Sequence, residues 1–191
     1  QDRDRSVLSK RHAAPALYEV HVDAGYFPVA ELDTLRKLGR RLQGHPCMNS
    51  IPGIDISTGS LGHGLSVGLG MSLGGRLRKQ DFHVYVLLGD GEIDEGQNWE
   101  AAMAAAKYRV SNLIAIVDLD GQQALGFTDQ VLRLTPLAAR WRAFEWDVHE
   151  VDGHDVEAIA QLLNGLQSGD GPHVLIARTT FGKGVSFMQS R

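Results

Sequence analysis

Asp90 and Asp120 are the residues whose type and spacing most directly suggest chemistry. Asp90 sits in Gly89-Asp90-Gly91, directly after the apolar run His83-Val84-Tyr85-Val86-Leu87-Leu88. Asp120 closes a second such run, Asn112-Leu113-Ile114-Ala115-Ile116-Val117-Asp118-Leu119-Asp120. The second aspartate follows the first by 30 residues, the length of one helix plus one strand in a crossover unit. Neighbouring parallel strands would therefore bring the two carboxylates together at one sheet edge. With a free carbonyl from the turn Gly121-Gln122, and room for phosphate oxygens and water, they make an oxygen-only octahedral shell suited to Mg²⁺. The glycines flanking Asp90 let a diphosphate approach main-chain amides. Without its position, Gly-Asp-Gly reads first as a loop with a solvated aspartate.

The elements that must hold these residues follow from periodicity. Apolar residues recur at helical spacing over Pro15 to Ala24 and again over Val29 to Leu38, predicting two helices separated by Gly25-Tyr26-Phe27-Pro28. Gly44 to Gly62 is rich in Gly, Pro, Ser, Thr and Asn and predicts irregular backbone leading into a helix from about Leu61 to Arg78. After the strand ending at Leu88, Glu95 to Tyr108 predicts a helix. The second strand, the polar turn Asp120-Gly121-Gln122-Gln123 and a helix over Pro136 to Phe144 come next. Trp146 to Val151 is a strand, Asp155 to Leu166 a helix, and His173 to Arg178 a last strand. The order βαβαβαβ predicts an α/β domain: a parallel sheet with helices on both faces and ligands beyond the carboxyl ends of the strands.

Composition narrows the field. The 191 residues are 43% hydrophobic and 22% charged, the balance of one globular domain with a substantial core. No apolar run approaches the roughly 20 residues that cross a bilayer, and Gln1-Asp2-Arg3-Asp4-Arg5 lacks the apolar core of a signal peptide, so a cytoplasmic protein without a membrane partner is expected. The net charge of -4 is spread with signs interspersed, which argues against a nucleic-acid partner. The single cysteine, Cys47, excludes an intramolecular disulfide and any Cys-based zinc cluster, and reads as a small packed thiol. The 22 glycines cluster where backbone must approach something closely.

Read in order, several segments resemble the transketolase family. Gly89-Asp90-Gly91, the spacer with Glu95-Gly96, and Asn112 to Gln123 are similar to its thiamine diphosphate motif. So are Gly44-His45-Pro46, the stretch Ile51-Pro52-Gly53-Ile54-Asp55-Ile56-Ser57-Thr58-Gly59-Ser60-Leu61-Gly62-His63-Gly64, and Gly182-Lys183-Gly184-Val185-Ser186-Phe187-Met188. The likeness covers most of the chain and is nearest to the amino-terminal subunit of split, two-chain transketolases. It implies a single diphosphate-binding domain over 1–191 that lacks terminal segments of the family.

The resemblance also implies roles. Asp90, Asp120 and the main-chain carbonyl of Gln122 match the magnesium ligands. Gly59, Leu61, His63, Gly89, Gly91 and Glu92 match positions around thiamine diphosphate, with His63 opening a helix whose positive end favours anions. His45 matches a substrate-contacting histidine, His12 matches the histidine of a Ser-Lys-Gly-His-Ala segment near cofactor and donor, and Glu95 matches a glutamate linking the two sites of a dimer. The implied activity is transfer of a two-carbon ketol unit from a ketose to an aldehyde. It requires a second chain with the pyrimidine-binding and carboxy-terminal domains, in a heterotetramer. Two alternatives stand beside it: a specialised biosynthetic transfer to a carrier-bound thioester or lipoyl group, and a non-catalytic scaffold paralogue.

The chain departs from the family where Asp120 replaces Asn and where Arg11 replaces Gly. Bland readings also exist for single residues. His12 could be an ordinary helix-start histidine, His154 merely opens a helix capped by Asp155, Lys183 could be solvated, and Trp99, Trp141 and Trp146 read as core. Glu92, Asp94 and Glu95 suit a helix amino terminus without any function.

Overall fold

The computed structural model describes residues 3–166 and 169–189. Gln1, Asp2 and Arg191, at the chain ends, lie outside them. Five parallel strands form the sheet: β1 (Arg5–Leu8), β2 (Val84–Gly89), β3 (Leu113–Leu119), β6 (Asp147–Asp152) and β7 (His173–Arg178), in the spatial order β1-β2-β3-β7-β6. A two-strand antiparallel hairpin, β4 (Gln122–Gln123) and β5 (Gly126–Phe127), follows β3. The helices are α1 (Ala14–Asp23), α2 (His63–Leu77), α3 (Gly96–Lys107), α4 (Thr128–Val131), α5 (Leu137–Ala143) and α6 (Val156–Gly165). Among the described residues no helix is long and apolar enough to cross a membrane.

Consecutive residues Leu113, Ile114 and Ala115 on β3, and Val174, Leu175 and Ile176 on β7, are all buried. Side chains alternate between faces along a strand, so helices cover both sides of the sheet, as the apolar runs require. Helix α2 packs directly on β2 because Gly68 has no side chain: a Cβ there would fall 2.4 Å from Val86 Cγ2. Trp141 is buried, with its ring centroid 5.2 Å from that of Trp99 and 4.8 Å from that of Trp146, so the three tryptophans belong to the packing under α3 and α5.

Two expectations are corrected. The sheet has a fifth strand, β1, which is four residues long, begins Arg5-Ser6 and carries too short a pattern to be read alone; it pairs with β2 from Arg5↔Val84 to Leu8↔Leu87. Second, Val29 to Leu38 is not an α-helix. Val29–Thr34 is a 3-10 helix, after which Leu35 turns extended and Arg36 takes φ +58°, its N–H donating to the carbonyl of Leu42. Leu32 and Leu35 pack instead against a second small core of Ala14, Tyr18, Phe27, Leu42 and Ile51, while Val29 and Leu38 are exposed.

Candidate cofactor site at the carboxyl edge of the sheet

Parallel pairing places the ends of β1, β2, β3 and β7 side by side, and the residues that follow each strand bind one another. Lys10, just after β1, extends its buried stem along the sheet so that Nζ pairs with Asp118 Oδ2 on β3. Asp118 Oδ1 accepts from the Thr179 hydroxyl after β7. Three strand ends are thus tied by one aspartate.

Asp90 projects from the end of β2 and is 3% exposed. Its Oδ1 accepts the Gly91 N–H at 2.7 Å and its Oδ2 the Gly121 N–H at 2.8 Å, which draws the β3 turn against the β2 loop. Asp120 Oδ1 accepts the Gln122 N–H at 2.8 Å, setting the direction of the turn. Burial, and next the charge of Asp120, push the Asp90 carboxyl up to about 6, against the pull of those two N–H groups. At this partly desolvated edge, burial and the neighbouring carboxylate both disfavour the charged form of Asp90.

Glu92 is buried and faces inward. One of its oxygens accepts the Ser9 hydroxyl and the Gly62 N–H at 2.8 Å, and the other accepts the Gly89 N–H at 3.2 Å. It therefore clasps three loops together. Two glycines make that clasp possible. Gly62 has φ +83°, and a Cβ on it would lie 2.7 Å from Glu95 Cβ, while a Cβ on Gly64 would lie 2.2 Å from Ser9 Oγ. Gly91 has its own local reason, since Gln123 Cβ occupies the space its side chain would take.

The edge opens into a cavity of about 440 Å³ lined by Lys10, His12, Leu61, Gly89, Asp90, Gly91, Glu92, Asp120, Gln122, Gln123, Ala124 and Phe181. It brings together eight residues singled out in the sequence: His12, Leu61, Gly89, Asp90, Gly91, Glu92, Asp120 and Gln122. A contiguous opening of about 650 Å³ adds Asp118, His154, Thr179, Thr180, Gly182 and Lys183. Gly59 and His63 line a separate cavity of about 210 Å³ beside α2. His45 lines neither cofactor cavity, yet its Nε2 is hydrogen-bonded to Arg11 Nη1, next to His12. Glu95 immediately precedes α3 and is exposed. Partial burial, then the charge of Lys10, lower the pKa of His12, which favours the neutral ring.

Sequence reasoning does not find Lys10, Asp118, Thr179 and Phe181. The only sequence signal for Lys10 is its place two residues before His12. His154, read as a helix opener, also holds the loop after β7: its Nε2 accepts the Thr180 N–H at 2.9 Å.

The donor set fits a metal diphosphate. The carboxylates of Asp90 and Asp120 are hard oxygen ligands suited to Mg²⁺. Lys10 and the neutral His12 offer N–H donors to phosphate oxygens, and Leu61, Ala124 and Phe181 give an apolar wall for a heteroaromatic ring.

Comparison with known proteins agrees with this architecture. The chain is 45% identical over 188 residues to one of the subunits of the apulose-4-phosphate transketolase of Phocaeicola vulgatus, covering 98% of this chain and 66% of that protein. It is 42% identical over 191 residues to the 6-deoxy-6-sulfo-D-fructose transketolase subunit SqwG of a Clostridium species, covering 100% and 70% respectively. The chain thus spans about two thirds of the length of these relatives. Among solved structures, the transketolase of Campylobacter jejuni superposes with a TM-score of 0.92 at 28% identity, over 98% of this chain and 31% of that one. The Pichia stipitis transketolase in complex with sedoheptulose-7-phosphate superposes at 0.88 with 33% identity, over 95% and 29%. The thiamine diphosphate-binding domain of transketolases matches residues 1–191, and the chain belongs to that family.

Proposed function

We propose that this chain binds thiamine diphosphate and Mg²⁺ and, with a partner chain, transfers a two-carbon ketol unit from a ketose donor to an aldehyde acceptor. The observation that carries the reading is the Asp90–Asp120 pair at the carboxyl edge of the sheet, with Lys10 and His12 on the same cavity, in a chain of this family. Asp90, Asp120 and the Gln122 carbonyl hold the metal, and Gly89 and Gly91 border the diphosphate. When bound, the cofactor supplies the carbon nucleophile on which ketol transfer depends.

The chain's own residues bind, orient and move protons. Neutral His12 has one ring nitrogen free to accept a proton from a donor hydroxyl and the other to donate, which suits reversible proton transfer near neutral pH. His45 accepts from Arg11 at Nε2, which places its remaining N–H on Nδ1, available to a substrate oxygen. Phe181 and Leu61 keep water from one wall of the cavity. The exposure of Glu95 beside α3 supports a role for it in contact with a neighbouring chain. No base for the aminopyrimidine is assigned in this chain, so the partner chain with the pyrimidine-binding domain supplies it, and two copies of each chain make a heterotetramer. Both bacterial relatives are named as subunits, which supports a partnered assembly.

The test is reconstitution with the partner chain, scoring cofactor binding and ketol transfer separately. Mg²⁺-dependent binding of thiamine diphosphate, lost in Asp90→Ala, together with aldehyde-dependent turnover, is the expected result. Binding without turnover on any ketose–aldehyde pair would leave the cofactor assignment and remove the transferase. An assembly that binds no cofactor would return the chain to a scaffold.

A further inference from the structure

Asp147, His149 and His173 form a second polar cluster at the opposite, amino-terminal edge of the sheet. Asp147 and His149 are two residues apart on β6, so their side chains leave the same face, and the register pairs Asp147 with His173 at the start of β7. Asp147 Oδ2 lies 3.1 Å from His149 Nε2 and 3.3 Å from His173 Nδ1. One ligand atom from each of the three residues falls within 4.8 Å of the others.

His173 is a buried ring and His149 a half-buried one. His173 is 3% exposed, and neither of its ring nitrogens has a hydrogen-bond partner. His149 Nε2 is also buried without a hydrogen bond. Buried ring nitrogens ordinarily find partners, and here two, His149 Nε2 and His173 Nδ1, approach one oxygen of Asp147 without a well-aligned hydrogen bond. A tetrahedral ion with bonds of about 2.0–2.1 Å to nitrogen and oxygen sets its ligands roughly 3.3–3.4 Å apart, which the two separations from Asp147 approach.

We propose that Asp147, His149 and His173 bind one divalent ion of the zinc class, distinct from the Mg²⁺ of the cofactor site. Two imidazoles and one carboxylate select a borderline transition metal over a hard oxygen-seeking cation. Three protein ligands leave a fourth position for water, and exposed Asp147 provides the way in. The ion joins β6, the edge strand of the sheet, to β7. Five residues of strand, about 17 Å, separate it from the carboxyl edge, so the inference does not depend on the function proposed above.

The experiment uses the protein assembled with its partner chain, stripped of transition metals and then saturated with Mg²⁺ and thiamine diphosphate so that the carboxyl-edge site is filled. Zn²⁺ uptake is read by equilibrium dialysis and elemental analysis, and thermal stability is followed in parallel. The expected result is one Zn²⁺ per chain at micromolar free metal, with affinity reduced at least tenfold in Asp147→Asn and in His149→Gln. At a hundredfold excess over Kd, the metal should raise Tm by about 5 °C in the wild type and not in the variants. Both variants change partly exposed side chains on an edge strand, so folding is checked by their circular dichroism. Absence of stoichiometric uptake by the wild type overturns the site whatever the variants do, and so does uptake equal in the wild type and the folded double variant.

Discussion

Arg11 Nη1 is hydrogen-bonded to Nε2 of His45 across 34 residues of chain, joining the loop after β1 to the Gly44-His45-Pro46 segment. A guanidinium has no acceptor, so the contact fixes His45 Nε2 as the accepting atom and takes that lone pair away from any other donor. Arg11 stands where the family resemblance has glycine, and it is the residue by which this chain orients that histidine.

Arg11→Gly should free His45 Nε2 for a donor-sugar hydroxyl. A neutral hydrogen bond is worth about 1 kcal/mol, so KM for the ketose should fall about fivefold with kcat changed little. Steady-state kinetics of Arg11→Gly, His45→Ala and the double variant in the assembled enzyme give the check. A KM that rises in Arg11→Gly would instead make Arg11 itself a substrate contact.

The Asp90 carboxyl, held at about 6 by burial and by Asp120, makes both stability and metal binding depend on pH. An unfolded aspartate titrates near 3.9. Between that value and about 6 the unfolded chain releases a proton that the folded chain keeps. The stability contributed by protonated Asp90 is therefore full below about pH 4 and lost as pH rises through about 6, at most about 3 kcal/mol. Denaturant melts of the metal-free protein should show Asp90→Asn gaining on the wild type over that interval. Mg²⁺ must displace the proton, so its affinity should fall about tenfold per pH unit below 6. A flat affinity from pH 5 to 7 would rule out Asp90 as a ligand with this titration.

Asp120→Asn removes a charge beside Asp90 while keeping an oxygen to accept the Gln122 N–H. With one carboxylate fewer, the metal should bind more weakly and thiamine diphosphate more tightly, because the shell presented to the diphosphate is less anionic. Calorimetric titration of each ligand into the wild type and the variant measures both changes; two unchanged affinities would remove the idea.

Glu92→Ala should destabilise the fold by about 3 kcal/mol, because it leaves the Ser9 hydroxyl and the Gly62 and Gly89 N–H groups buried without their shared acceptor. Glu92→Gln keeps one acceptor oxygen and should recover part of that loss. Chemical denaturation of the metal-free chain decides this without reference to activity. A loss confined to cofactor affinity, with stability unchanged, would mean that Glu92 contacts the cofactor instead of clasping the loops.

Much of this protein is legible along the chain. The apolar runs ending at Leu88 and Leu119 are buried or half-buried along both faces, and a strand of that composition has little choice but the middle of a parallel sheet; the acidic residues that follow, Asp90 and Asp120, then fall at the same edge. The periodic stretches of α2 and α3 are equally local, since each buries one face set by its own repeat. What the chain could not show is what depends on partners far away in sequence. Strand β1 exists only because Arg5 to Leu8 pair with β2, and its register carries Lys10 to Asp118 across 108 residues and Ser9 to Glu92 across 83. Glu92 belongs to an acidic helix start in the sequence, but the meeting of three loops turns it inward. Gly59 and His63 sit beside Leu61 in the chain, yet the turn into α2 sends them to a neighbouring cavity. Asp147, His149 and His173 become a cluster only through the β6–β7 register. Local patterns fix which face of an element is apolar, whereas the order and register of strands, settled by packing of the whole sheet, decide which polar side chains meet.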